Sequence, residues 1–283
     1  MCDEQGGGDE CYLTSDDWRL GYVKPRKQPW LPVTYADVDG LAVFEGCILL
    51  GETAEVENTR KKIDEQSQTA PDLFRDRDAR LMGSGIVGAQ YLWEKRTIPY
   101  EIDPALPRPE RVTEAMQHWQ ERTTITFVER TTKDNDYVRV RPVASGCASF
   151  VGCQGGRQDL ILAADCSVGN VIHELGHAIG LWHEQSRGDR DQWVEIVYSK
   201  VAANRRSNFD QHIDDGVDLG EYDYGSIMHY PAGSFSVDGS ATIVARRPLP
   251  AGVVMGQRTA LSDGDVKAVE TMYQDVAMPG SNV

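Results

Sequence analysis

An α+β fold is what the sequence predicts, on three observations. Beyond residue 91, β-branched runs at 97–102, 125–129 and 137–141 read as strands. Two longer stretches, 108–122 and 170–181, read as helices. Before residue 84 the chain is polar and has little regular periodicity, so a largely irregular segment is expected there.

Taken in order, residues 1–11 are glycine-rich and acidic and form an expected flexible tail. A short apolar run spans 41–50. A Glu- and Lys-rich helix is expected over 52–66 and another over 71–80. From Arg75 to Gly85, basic residues stand beside glycines, a pattern suited to proteolytic processing. This linker divides the chain into units 1–83 and 84–283. The 108–122 helix has a proline near its start and sets Val112, Met116 and Trp119 on one face. Further strands are expected at 149–152 and 160–163. After Gly180 the chain reads as mostly irregular, with a short helix near 198–208. Ser262 is placed to cap a last helix running to about Tyr273.

The 283 residues carry a formal net charge of −15 and 40% hydrophobic residues. That hydrophobic share supports a globular core, and the acidic balance argues against nucleic acid or an anionic membrane as the main partner. No stretch of about 20 apolar residues is present to cross a membrane. No signal peptide is present either, which fits a sequence read from after one. Met1-Cys2, followed by a polar glycine-rich stretch, fits a lipoprotein whose Cys2 carries the anchor. A Cys2–Cys11 disulfide or free thiols fit the same residues, and spacing does not decide among the six cysteines.

The run His173-Glu174-Leu175-Gly176-His177-Ala178-Ile179-Gly180-Leu181-Trp182-His183-Glu184 carries the chemistry. His173 and His177, four apart, fall on one face of a helix. Glu174 stands beside the metal without binding it, placed as the general base and acid that moves a proton from water to a leaving amine. Gly180 can adopt the left-handed conformation that ends the helix and returns His183 as a third ligand. Three neutral imidazoles leave one position open on a single zinc ion, the arrangement of a catalytic site. His118, His212 and His229 have no such company and are expected to be surface or core residues.

Downstream lies Tyr222-Asp223-Tyr224-Gly225-Ser226-Ile227-Met228-His229-Tyr230. With the long zinc motif, Glu184 after the third histidine, and Ser226-Ile227-Met228-His229-Tyr230, the chain resembles the astacin family of metzincin peptidases. The resemblance runs from about Ser84 to Asp275 and includes Tyr91-Leu92-Trp93, Ile98-Pro99-Tyr100, Ser145-Gly146-Cys147 and Gly256-Gln257-Arg258. It implies the metzincin plan, a mixed sheet and two long helices above an irregular lower half, with the zinc cleft between. It also implies a Cys147–Cys166 disulfide. The family's second disulfide is missing: Thr124 stands at one expected position and 271–275 lacks the other. Cys153 is extra and could compete for either neighbour.

The resemblance assigns further roles. Tyr230 would stabilise the transition state, Met228 would pack beneath the metal, and Glu184 would meet the ammonium of a new N-terminus after activation. Ala148, Ser149 and Phe150 would lie on the edge strand that pairs with extended substrate. Arg258 would face the residue after the cut and favour Asp or Glu there. The upstream Phe44-Glu45-Gly46-Cys47 resembles the family's propeptide motif Phe-x-Gly-Asp, with cysteine at the zinc-binding aspartate. A thiolate is a strong zinc ligand, so Cys47, within the inhibitory stretch 41–50, would block the metal as the cysteine of matrixin zymogens does. The expected protein is a secreted or cell-envelope zinc endopeptidase. It would be monomeric, made as a zymogen, and released by another protease or by self-cleavage to act on proteins or peptides. A zinc amidase on non-protein substrates and an inactive peptidase-like binding protein are the alternatives.

Overall fold

The structure, a computed structural model, describes residues 11–23, 30–69, 85–86, 88–212 and 216–276. Cys2 and the tail to residue 10, the expected helix over 71–80 and the expected processing linker before Gly85 lie outside the described residues. Cys11, the last residue of the expected tail, is buried, and its carbonyl accepts from the Cys147 N–H at 3.0 Å.

The N-terminal segment is not irregular, which corrects the expectation. Strands β1 (Trp18–Val23), β2 (Leu31–Val38), β3 (Leu41–Phe44) and β4 (Ile48–Glu52) form an antiparallel meander, followed by helix α1 (Thr53–Thr69). The outer strands are mostly half-buried, so their mixed composition hides the strand period. Asp39-Gly40 links β2 to β3 as a two-residue hairpin turn with φ of 51° and 84°. Glu45-Gly46-Cys47 forms the tip between β3 and β4, where Phe44 pairs with Ile48.

The remainder contributes β5 (Gly85–Ile86), β6 (Thr97–Ile102), α2 (Glu110–Arg122), β7 (Thr126–Glu129), β8 (Tyr137–Pro142), β9 (Cys147–Ser149) and β10 (Arg157–Leu162). Then come α3 (Val168–Ile179), β11 (Val194–Ile196), β12 (Gly216–Val217), β13 (Ile243–Ala245) and α4 (Asp263–Met272). One sheet runs β1-β2-β3-β4-β9-β10-β8-β6-β7. Strands β10, β8, β6 and β7 are parallel neighbours, and β9 is antiparallel to β10. The meander joins through β4, which lies parallel to β9 with Ile48 opposite Ser149. The strand expected over 149–152 lies instead at Cys147–Ser149; beyond it the chain turns, and the Gly152 N–H donates to the His177 carbonyl at 2.8 Å.

Helices α2 and α3 pack on this sheet over one apolar core. Val112, Met116 and Trp119 are buried as their spacing predicts, and the Trp119 indole donates to the Ile172 carbonyl at 3.0 Å, tying α2 to α3. Below them a second core gathers Val194, Phe209, Tyr224 and Tyr230 from mostly irregular chain that includes the short 3-10 helix Ala203–Phe209. Ser262 caps α4 by accepting from the Asp265 N–H.

The Cys147–Cys166 disulfide forms, and Cys153 remains a buried thiol. Where the second disulfide is missing, polar contacts bridge the same elements. Glu270 of α4 accepts from the Thr124 N–H at 2.6 Å and pairs with Arg96 at 3.3 Å, and Arg96 donates to the Thr124 hydroxyl at 2.6 Å. Glu270→Ala leaves the partly buried Thr124 N–H without this acceptor and removes the ion pair to Arg96. It should cost about 1–3 kcal/mol, read as a lower midpoint in equilibrium denaturant unfolding. An unchanged midpoint would show that this clamp contributes nothing.

Candidate active site

Local sequence builds the ligand helix. Ser167 and Asn170 form a reciprocal capping box at the start of α3, whose residues Gly169 to Ile179 are all buried. One turn apart, the His173 and His177 rings lie 4.8 Å apart. Gly180 ends the helix at φ 126°, a conformation that side-chain-bearing residues rarely adopt, and its N–H donates back to Gly176 and His177. His183 then returns with its ring 4.7 Å from His177 and 5.3 Å from His173.

Each imidazole is oriented through Nδ1. His173 donates to the Ile227 carbonyl at 2.8 Å and His177 to the Leu181 carbonyl at 2.7 Å, which leaves each Nε2 as the lone-pair donor. Burial holds both rings well below the usual histidine pKa, in the neutral form that ligates. His183 Nδ1 instead meets the Glu45 carboxylate at 2.6 Å.

The hairpin tip delivers Cys47 to this cluster. Its Sγ lies 3.6, 3.4 and 3.2 Å from Nε2 of His173, His177 and His183. Zinc bonds of about 2.3 Å to sulfur and about 2.0–2.1 Å to nitrogen, at tetrahedral angles, set sulfur and nitrogen about 3.5 Å apart. The four donors, all on buried residues and with ligating atoms within 4.8 Å of one another, therefore fit one zinc ion.

Glu174 is buried beside His173 on α3. Met228 is buried beneath the helix, where a Cβ built on Gly176 would come within 2.6 Å of its sulfur. The Tyr230 ring lies 4.5 Å from that of His183, and its hydroxyl donates to the Glu45 carbonyl at 2.6 Å. Along β9, the Ser149 N–H donates to the Cys47 carbonyl at 3.0 Å, while Ala148 pairs with Ile161. Phe150 follows β9, packed against the apolar cluster that contains Cys47. Arg258 donates to the Ile227 and His229 carbonyls at 2.7 and 3.2 Å, bracing the turn around Met228.

Glu184 is buried and accepts from the Asp223 N–H at 2.7 Å; burial pushes its carboxyl up to about 8 despite Arg187 nearby. It lines a small cavity with Leu181, Leu219, Asp223 and Asp265. His118 and His229 match the expectation: His118 accepts from the Leu261 N–H, and buried His229 meets Tyr222.

His212 corrects it. Its ring stacks on Trp182 at 4.1 Å, and its Nε2 reaches Glu45 at 3.0 Å. Glu45 is wholly buried; burial opposes its ionisation, but the His212 charge and the hydrogen bonds of His183 and His212 outweigh that and hold it down to about 2. Sequence reasoning missed both residues. Glu45 was the open position of the Phe-x-Gly motif, and His212 has no local pattern at all.

A family model described as Astacin, a peptidase family, matches residues 86–274. The chain belongs to the astacin family. Zinc is the cofactor of this astacin site. Among curated relatives, zinc metalloproteinase nas-13 of Caenorhabditis elegans is 39% identical over 202 residues, 67% of this chain and 44% of the relative. Zinc metalloproteinase nas-14 of the same organism is 33% identical over 276 residues, 94% of this chain and 53% of the relative. The chain thus spans about half the length of these two astacin relatives. Among solved structures, high choriolytic enzyme 1, a hatching enzyme zinc-protease from Oryzias latipes, superposes with a TM-score of 0.61 at 33% identity. That match covers 68% of this chain and 98% of the other.

Proposed function

We propose that this chain is a zinc endopeptidase in its latent form, with residues 1–83 as the propeptide and 84–283 as the catalytic domain. The observation that carries the proposal is the Cys47 sulfur at 3.2–3.6 Å from all three histidine Nε2 atoms. In this reading His173, His177, His183 and Cys47 hold the metal, and the sulfur fills the position that water needs. Bound zinc supplies Lewis acidity toward water and the scissile carbonyl.

The residues of the chain do the rest. Glu174 accepts the proton of the attacking water and returns it to the leaving amine. Tyr230, once released from the Glu45 carbonyl, donates to the oxyanion. Departure of β4 frees β9, so that Ala148, Ser149 and Phe150 bind extended substrate. Arg258, whose guanidinium sits beside the Met228 turn, favours an acidic residue after the cut. Glu184 receives the ammonium of the new N-terminus; Gly85 already bridges to Leu181, which lines the Glu184 cavity. Secretion, action as a monomer, protein or peptide substrates, and release by another protease or by self-cleavage belong to the same proposal. The Cys147–Cys166 disulfide supports an oxidising compartment.

Zinc-edge X-ray absorption of the uncleaved chain tests it. One sulfur and three nitrogens are expected, with the sulfur lost after activation. A spectrum without sulfur in the uncleaved chain would reject Cys47 as the ligand.

A further inference from the structure

We propose that Ser186 and His212 form, with the outer nitrogen of His183, a carboxylate pocket beside the metal ligands. Glu45 fills it as a second anchor of the inhibitory segment, chemically independent of the Cys47 sulfur. The inference rests on the reading of residues 1–83 as inhibitory.

The pocket is built from the catalytic part alone. The His212 ring is stacked on Trp182 at 4.1 Å, and the His212 backbone N–H donates to the Ser186 carbonyl at 2.7 Å. The Ser186 N–H in turn donates to the His183 carbonyl at 3.1 Å. Three side-chain groups converge on the Glu45 carboxylate: His183 Nδ1 at 2.6 Å on Oε2, and His212 Nε2 at 3.0 Å and Ser186 Oγ at 3.1 Å on Oε1. Glu45 is 0% exposed. An ionised carboxylate so buried persists only where donors replace its water, and here they do.

The backbone of Glu45 says the same. It sits at φ 47°, followed by Gly46 at φ 74°. The left-handed region disfavours a residue with a side chain, and glutamate is an unusual choice there. The carboxylate contacts account for it: the strained tip seats Glu45 in its pocket and Cys47 at the histidines together. Phe44, edge-on to His212 at 5.8 Å, closes the pocket. The segment is therefore held by two bonds of different chemistry, and losing either leaves the other in place.

The test compares full-length wild type, E45Q, C47A and E45Q/C47A in peptide hydrolysis before and after controlled trypsin activation. Residue 45 leaves with the propeptide, so all four activated enzymes are the same molecule, and the activated rate calibrates each sample. Glutamine keeps the shape but points an amide donor at a donor-lined pocket. E45Q should raise the rate before activation at least tenfold while keeping sulfur in its zinc-edge spectrum, a signal that simple misfolding would lose. The double variant should exceed C47A by a similar factor. If E45Q cannot be produced folded, S186A tests the pocket from the enzyme side, with the same rise expected in the ratio of rates before and after activation. Wild-type latency in E45Q, with the double variant equal to C47A, overturns the second anchor. Loss of sulfur from the wild-type spectrum instead overturns the Cys47 reading, leaving the E45Q comparison to be judged by itself.

Discussion

Glu174→Ala is expected to keep one zinc ion per chain and to lower kcat of the activated enzyme by about 10²–10⁴-fold or more. Zinc content should hold because the ligands are untouched. His173 and His177 keep their Nδ1 bonds to Ile227 and Leu181, and burial keeps both rings neutral. Turnover should fall because Glu174, buried beside His173 on α3, is the carboxylate the zinc motif places to move the proton of the attacking water. Glu45 is near, but under the proposed processing it leaves with residues 1–83. Metal analysis alongside single-turnover peptide hydrolysis separates the two effects. Near-normal turnover in a zinc-loaded variant would falsify the assignment of Glu174.

Cys47→Ala in the uncleaved chain is expected to give peptidase activity, or self-cleavage between about Phe74 and Gly88, before any activating protease is added. Apparent zinc affinities of roughly 10–16 kcal/mol shared over four ligands suggest about 3 kcal/mol per ligand, on the order of a hundredfold in the population of the blocked state. The carboxylate pocket holds part of the remaining latency, so the rate should stay below that of the fully processed enzyme. Peptide hydrolysis and a time course on gels measure both outcomes. A variant that remains as silent as the wild type, even with Glu45 also replaced, would remove the cysteine latch.

Much of the catalytic part was legible because its signals are local. The strands at 97–102 and 137–141, helix α2 with its buried face, and the Ser262 cap all follow from periodicity and turn chemistry within a few residues. The N-terminal meander was not read. Its outer strands are mixed in composition, and its junction with the main sheet pairs Ile48 with Ser149, far along the chain. One local signal was available: Asp39-Gly40 between two strand-like runs marks a tight hairpin. Glu45 and His212 could not be joined from sequence, since 167 positions separate them and only docking of the hairpin tip brings them together.

By itself the sequence picked out the three histidines that meet in the site and put Glu174 forward as the base beside them. Spacing on a helix and a glycine turn are local geometry, and local geometry survives in any fold that forms the helix. Cys47 was put forward by the family resemblance alone, and only the tertiary structure brings its sulfur to 3.2–3.6 Å from all three Nε2 atoms. Cys47 lies 126 residues from His173 in the chain. Nothing local links them, and the pairing of β4 with β9 together with the seating of Glu45 carries the sulfur to the metal site.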